Sequence, residues 1–297
     1  MKLSIIGAGK WGQALYHAFS QKNEVVITSR SAKNIENFVS LDKALSNEYL
    51  VIAIPTQAVR EWMRENFVDR GQNILVASKG IETSTGAFLN EVYNQFVPND
   101  RLAFISGPSF AKEVLESLPT ALKVSSTNLE LAETYVEAFP DFIKGYIDDD
   151  VIGAEIAGAY KNVIAIAGGV CDGLKLGNNA RASLISRGLV EMARFGECFG
   201  ANMETFLSLG GAGDLFLTAS SKLSRNYRVG LGLAQNKSLE DILEELGEVA
   251  EGIATTKALY NIAQKENIYL PIAREVFSMI EEGKDPYLSV KDLLHST

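Results

Sequence analysis

The run "GAGKWG" at residues 7 to 12 restricts the possible folds more than any other part of the chain. It follows the apolar run "LSII" directly and opens the helical pattern "WGQALYHAFSQ". Between a strand and a helix, Gly7 permits the tight turn, Gly9 lets the backbone approach a pyrophosphate, and Gly12 lets helix and strand pack closely. The N–H groups at the helix start then meet phosphate charge. The loop, Lys10 included, is expected to bind a dinucleotide, and a purely structural glycine turn is the alternative.

The rest of the first half reads as βαβ units. "EVVITS", "YLVIAIP", "NILVAS", "LAFISG" and "ALKVSS" are short runs rich in Val and Ile, and patterns such as "TSTGAFLNEVYNQF" predict helices between them, here over 83–96. A last strand, "FIKGYI", ends in the acidic turn at 148 to 150. The strand signal then fades into helical periods, among them "VIGAEIAGAYKNVIAIAGGV", "ARASLISRGLVEMARFGECF", "SLEDILEEL", "IATTKALYNIAQKEN" and "PIAREVFSMIEEG", the last with Pro271 in its first turn. The predicted fold class is α/β: a Rossmann-type, doubly wound, mostly parallel sheet followed by an all-α C-terminal domain. The sequence is divided into a dinucleotide-binding domain over 1–150 and a helical substrate-binding domain over 151–297. A chain of 297 residues, 46% of them hydrophobic, is long enough for two such cores.

The formal net charge of -9, with no basic block, argues against a nucleic-acid or anionic-membrane binder. Any anionic ligand must be met by a local cluster of cations. Cys171 and Cys198 lie in apolar helical patterns, which suggests neither a disulfide framework nor a metal site. A reduced, cytoplasmic chain is expected. Lys10 and Trp11 interrupt the N-terminal apolar run too early for a signal peptide, and no apolar stretch is expected to reach the length of a membrane span.

Where a NAD site usually carries an acidic residue, the second strand ends in "ITSRS". Arg30 flanked by Ser29 and Ser31 suits a 2′-phosphate, so NADP(H) is the preferred cofactor and NAD(H) the second choice. A surface arginine ending a strand is the alternative. Ligands of doubly wound sheets bind beyond the carboxyl ends of the strands, where "SKG" at 78 to 80 and "SGPSFAKE" at 106 to 113 fall. These loops offer Lys79 as a cation and Gly107 and Ser109 as donors.

In the second half, Asp214 lies in the glycine-rich break "LGGAGDLF", and "SRN" combines Ser224 as a helix cap with Arg225 and Asn226. Cap hydroxyl, N–H groups and guanidinium together suit a phosphate. Oxidation of an alcohol by a nicotinamide also needs an acid or base, yet His17 and His295 are badly placed for it. Lys161, within "GAYKNVIAIAGG", is the candidate. Desolvation and neighbouring cations would lower its pKa towards working pH, and Asn162 would bond the substrate or hold the lysine. The competing reading is a lysine that packs its stem on apolar surface with its amine in water.

These motifs resemble one family, the NAD(P)H-dependent glycerol-3-phosphate dehydrogenases of bacterial type. "GAGKWG", "SKGI", "SGPSFAKEV", "GAYKNVIAIAGG", "GNNARASLISRGLVEM", "GGAGDLFLT", "SRN" and "EVAEGIATTKAL" occur in the family's order over nearly the whole chain. The resemblance implies reversible reduction of dihydroxyacetone phosphate to sn-glycerol 3-phosphate for phospholipid synthesis, with Lys161 as proton donor and acceptor. It implies substrate contacts from Lys79, Gly107, Ser109, Lys161, Asp214, Ser224, Arg225 and Asn226. Cofactor contacts would come from Trp11, Arg30, Lys79, Ala111, Arg225, Val249 and Glu251, and no metal is implied.

The sequence departs from the family in the short connection "RSAKNIENFVSLDKALSNEY", which lacks a "YLPG"-like stretch, and at Gln13 and Tyr160. The adenine side of the cofactor site depends on that connection. The alternatives are a β-hydroxyacid or ketopantoate dehydrogenase, for which "SRN" with Lys79 is unsuited, and a non-catalytic dinucleotide sensor, which has no need of Lys161, Asp214 and Arg225 together. Expected partners are the small substrate and, from the extended helical domain, a second copy in a homodimer. Neither nucleic acid nor membrane insertion is expected.

Overall fold

In a computed structural model, residues 1–295 are described. The strands are β1 (Lys2–Ile6), β2 (Glu24–Thr28), β3 (Tyr49–Ile52), β4 (Asn73–Val76), β5 (Leu102–Ser106), β6 (Thr120–Ser125) and β7 (Ile143–Asp148), in the spatial order β2-β1-β3-β4-β5-β6-β7. All pairs are parallel except β5 with β6. Central strands covered on both faces need apolar side chains throughout, hence the unbroken runs at Ile5–Ile6 and Leu50–Ile52, all buried. Between the strands lie α1 (Lys10–Ser20), α2 (Leu41–Ala44), α3 (Val59–Asn66), α4 (Leu89–Tyr93), α5 (Ala111–Leu115) and α6 (Leu129–Glu137).

Strand order reverses between β1 and β3, so the glycine loop leaving β1 sits at the switch point where such sheets bind ligands. The connection after β2 is short but structured. Phe38 forms a single parallel bridge with Ile27, while Ile27 N–H donates to Asn37 O (3.1 Å) and Val39 N–H to Ile27 O (3.0 Å). One residue of edge strand thus occupies the place of the outermost strand in the classical dinucleotide fold.

The remaining helices are α7 (Val151–Gly173), α8 (Asn178–Glu197), α9 (Met203–Leu207), α10 (Asp214–Ala219), α11 (Arg225–Leu233), α12 (Leu239–Leu246), α13 (Glu251–Glu266), α14 (Pro271–Glu281) and α15 (Pro286–His295). Two compact units result. One comprises Met1–Ser78 and Leu89–Ala154, and the other Lys79–Phe88 together with the chain from Glu155 onward. A boundary at 150 therefore differs from the observed division chiefly in the excursion 79–88.

That excursion corrects the helix expected over 83–96, of which only Leu89–Tyr93 is helical. Gly86 takes φ +76° and donates its N–H to Glu82 O (2.8 Å), closing a turn that Ile81 and Phe88 bridge. Phe88 then joins Phe195 and Phe199 in an aromatic cluster of the helical unit, with ring centroids 6.5 and 5.2 Å away. Tertiary aromatic packing overrides the helical period here.

A second correction concerns α7. At 23 residues it is long and apolar enough to cross a membrane by length and composition, contrary to the expectation, but 94% of its most apolar window is buried inside the protein. Its small residues serve close packing: a Cβ on Gly169 would lie 2.0 Å from Tyr227 O, and one on Gly230 1.9 Å from Ile166 O. Glycine on both helices lets the α7 and α11 backbones touch.

Candidate functional site

In the sheet unit, the three glycines of the loop do different work. Gly7 has φ +110°, and a Cβ there would lie 2.4 Å from Ala53 O, while one on Gly12 would lie 1.7 Å from Gly7 O. A Cβ on Gly9 would meet nothing within 4 Å. The first and third glycines are thus required by packing. The second faces open space, the fit a pyrophosphate needs at a helix start that has no side-chain cap and no acidic residue in its first turn. Lys10 is exposed at that start, and Trp11 is half-buried against the sheet core.

Gly7 N–H donates to Thr28 O (2.9 Å), which ties the turn to the end of β2. Two residues later Arg30 is exposed and has no hydrogen-bond or ion-pair partner among the described residues. The Ser29 hydroxyl turns back to Ser31 O (2.8 Å). Beyond β5, Gly107 adopts φ +115° and accepts from the Ser109 hydroxyl (3.1 Å), and Ala111 opens α5.

In the helical unit, residues far apart in sequence converge on Asp214. The π-turn Leu209–Gly213 delivers it, and Gly211 lets that turn pass against the backbone of Phe206, where a Cβ would lie 2.2 Å from the carbonyl. Asp214 as a residue is 1% exposed. Its Oδ2 accepts from Lys79 Nζ (2.8 Å) and its Oδ1 from Lys161 Nζ. The stem of Lys79 runs over Gly158, one turn before Lys161 on α7, with Cγ and Cδ at 3.4 Å from an ideal Cβ position.

Lys161 is 8% exposed, which decides between the two readings of this lysine in favour of burial. Its amine also donates to Thr218 Oγ1 (3.2 Å), and that hydroxyl donates to Asp214 Oδ1 (3.1 Å) from one turn further along α10. Sequence reasoning passed over Thr218, although a threonine four residues after a buried aspartate on an apolar helix carries a signal. Burial lowers the Lys161 pKa to about 8, against the pull of Asp214 and with the repulsion of Lys79. Burial raises the Asp214 pKa, but the two ammonium groups outweigh it and hold the carboxyl below its usual range.

Nearby, Ser224 caps α11 by accepting from Tyr227 N–H (3.2 Å), as its sequence position predicts. Asn226 Oδ1 accepts from Gly252 N–H (3.0 Å), and Arg225 donates to Val249 O (3.1 Å) while pairing with Glu248 (3.3 Å). This brings Arg225, Asn226, Val249 and the α13 start at Glu251 together. Asn162 donates to Gly158 O (3.3 Å), within its own helix. Among the described residues no group of three metal-ligating side chains forms.

Comparison with known proteins adds a family. Residues 32–132 match the NAD-dependent glycerol-3-phosphate dehydrogenase N-terminus, and residues 150–291 match the C-terminus of the same family. The chain is 61% identical over 293 residues to a Sulfurimonas denitrificans protein named glycerol-3-phosphate dehydrogenase (NAD(P)+), covering 99% of each. A Nitratiruptor protein of the same name is 60% identical over 294 residues, covering 99% of this chain and 98% of its own. The crystal structure of glycerol-3-phosphate dehydrogenase from Coxiella burnetii superimposes with a TM-score of 0.91 at 34% identity, covering 99% of each chain.

Proposed function

The chain belongs to the NAD-dependent glycerol-3-phosphate dehydrogenase family, and from that premise we propose that it interconverts dihydroxyacetone phosphate and sn-glycerol 3-phosphate using NADPH in preference to NADH. The observation that carries the reading is the buried Lys79–Asp214–Lys161 cluster. Gly7, Gly9, Lys10, Trp11, Gly12, Arg30 and Ala111 would hold the dinucleotide from the sheet unit, and Lys79, Arg225, Val249 and Glu251 from the helical unit. When bound, the nicotinamide supplies or takes up the hydride at substrate C2.

Lys161 gives a proton to the C2 oxygen in reduction and recovers it in oxidation. Two ammonium groups and one carboxylate leave the cluster with one net positive charge, which favours the developing alkoxide. Once Lys161 has released its proton the cluster is neutral, so no uncompensated charge stays buried. Arg225 and Asn226, on the capped start of α11, suit the substrate phosphate, with Gly107 and Ser109 as further donors. Asp214 acts in this scheme as a positioning residue, since its oxygens are already taken by the lysines and Thr218.

Supply of glycerol phosphate for phospholipid synthesis, a cytoplasmic location and a homodimer belong to the same reading. The deciding experiment is the initial rate of dihydroxyacetone phosphate reduction with NADPH and with NADH separately. Folded protein that binds dinucleotide yet turns over neither way would remove the reaction from this chain.

With the Lys161 pKa at about 8, reduction needs the protonated amine and oxidation the neutral one. The kcat/KM for reduction should therefore fall above about pH 8, tenfold per unit, while that for oxidation rises to a plateau there. Substrate phosphate, with a second pKa near 6, is fully ionised across this window. A profile flat in both directions between pH 7 and 10 would exclude the lysine as the proton carrier. A separate prediction concerns Arg30→Ala, which should weaken NADPH on the order of 10-fold or more and NADH less than twofold; fluorescence titration would read both, and equal losses would mean that Arg30 does not contact the 2′-phosphate.

A further inference from the structure

The connection leaving β2 contains a second cation whose placement has no structural use beyond a single hydrogen bond. The chain departs from the glycine turn at Thr28, whose carbonyl accepts from Gly7 N–H (2.9 Å). It returns five residues later, where Lys33 Nζ donates to Ala8 O (2.7 Å). Arg30 thus rides on a short loop closed at both ends against the same turn. Gln13 Nε2 also donates to Ala8 O (2.9 Å), so the carbonyl that receives Lys33 is itself held.

Further anchors stiffen the segment. Tyr16 OH donates to Glu36 O (2.7 Å), and Asn37 Nδ2 donates to Tyr16 OH (3.2 Å). Lys33 nevertheless has no acidic partner among the described residues, and residues 29–37, "SRSAKNIEN", carry two cations against the one carboxylate of Glu36. In a chain of net charge -9, this short segment is thus net positive. The region between a glycine turn and the end of the second strand is where this class of fold receives the adenosine ribose.

We propose that Lys33 is a specificity-determining residue for the phosphorylated cofactor, its ammonium contacting the ribose 2′-phosphate together with Arg30. The tether to Ala8 O fixes the amine beforehand, so little side-chain freedom is lost on binding. This rests on the dinucleotide reading of the glycine loop and is independent of the reaction at Lys161.

The test is calorimetric titration of adenosine 2′,5′-bisphosphate and adenosine 5′-monophosphate, then of NADPH and NADH, into the wild type, Lys33→Ala and Lys33→Arg. Lys33→Ala should weaken both 2′-phosphorylated ligands about tenfold and change the other two less than twofold. Lys33→Arg should keep most of the wild-type preference, because a guanidinium carries the same charge. Equal weakening of NADPH and NADH by Lys33→Ala would place the amine on the pyrophosphate and overturn the proposal, as would no change in either. Wild-type protein that binds the bisphosphate no better than the monophosphate would overturn it as well. Turnover is not needed for any arm, so failure of the proposed reaction would be seen separately.

Discussion

Lys161→Ala is expected to lower turnover of dihydroxyacetone phosphate on the order of 100-fold or more while NADPH affinity stays within a few-fold. A positioned proton donor contributes typically about 10²–10⁴ to a rate, and no histidine is available to replace it. The truncation also leaves Asp214 paired with Lys79 alone, a neutral pair with no charge to spare for a developing alkoxide. Lys161→Arg should rescue little, because a guanidinium keeps its proton at every working pH. Steady-state rates beside a direct NADPH titration separate chemistry from binding. Near-normal turnover in Lys161→Ala would take the amine out of the reaction altogether.

The second large effect is expected from Asp214→Asn. The amide keeps the shape of the carboxylate but leaves two ammonium groups facing each other with no counter-charge, at a position 1% exposed. At about 4 Å and an effective dielectric near 20, each ion pair is worth roughly 4 kcal/mol before desolvation, so two attractions outweigh one repulsion. Removing one partner of a buried charge group typically costs about 3–5 kcal/mol. The midpoint of thermal unfolding should drop by about 10 °C, and turnover should fall on the order of 100-fold. Without the carboxylate the Lys161 pKa should move further down, so any residual reduction should lose its alkaline limb at lower pH than the wild type. Unchanged stability together with an unmoved limb would mean that Asp214 does not carry the charge of the two lysines. Its own lowered pKa has a definite sign: the stability it contributes is present above the unfolded value of 3.8 and lost as pH falls through the folded value.

The parts legible in the sequence were those with local causes. The central strands β1, β3, β4 and β5 read correctly because a strand buried on both faces needs a nearly unbroken apolar run, and the glycine loop because turn, phosphate approach and packing each demand glycine at a fixed spacing. The cap at Ser224 and Pro271 at the start of α14 are local in the same sense. The excursion 79–88 misled for the opposite reason. The apolar spacing over 83–96 suits a helix, and only the distant pair Phe195 and Phe199 explains why Phe88 turns away from one.

Lys33 was passed over because a lysine in a polar connection looks solvated, and its acceptor lies 25 residues earlier. Lys161 is the sharpest case. Its run of small and apolar neighbours was enough to single it out, but both a snorkelling and a buried amine were compatible with that run. Burial was decided by a carboxylate 53 residues later, brought to it by a π-turn, and by the stem of Lys79 lying over Gly158. Outside the stretch that Phe88 redirects, which elements form and which residue types carry chemistry followed from local sterics and solvation, which the sequence alone determines. Which charges meet, and therefore what pKa the central lysine has, only the tertiary structure decided, because Coulomb interaction and desolvation depend on distance in space.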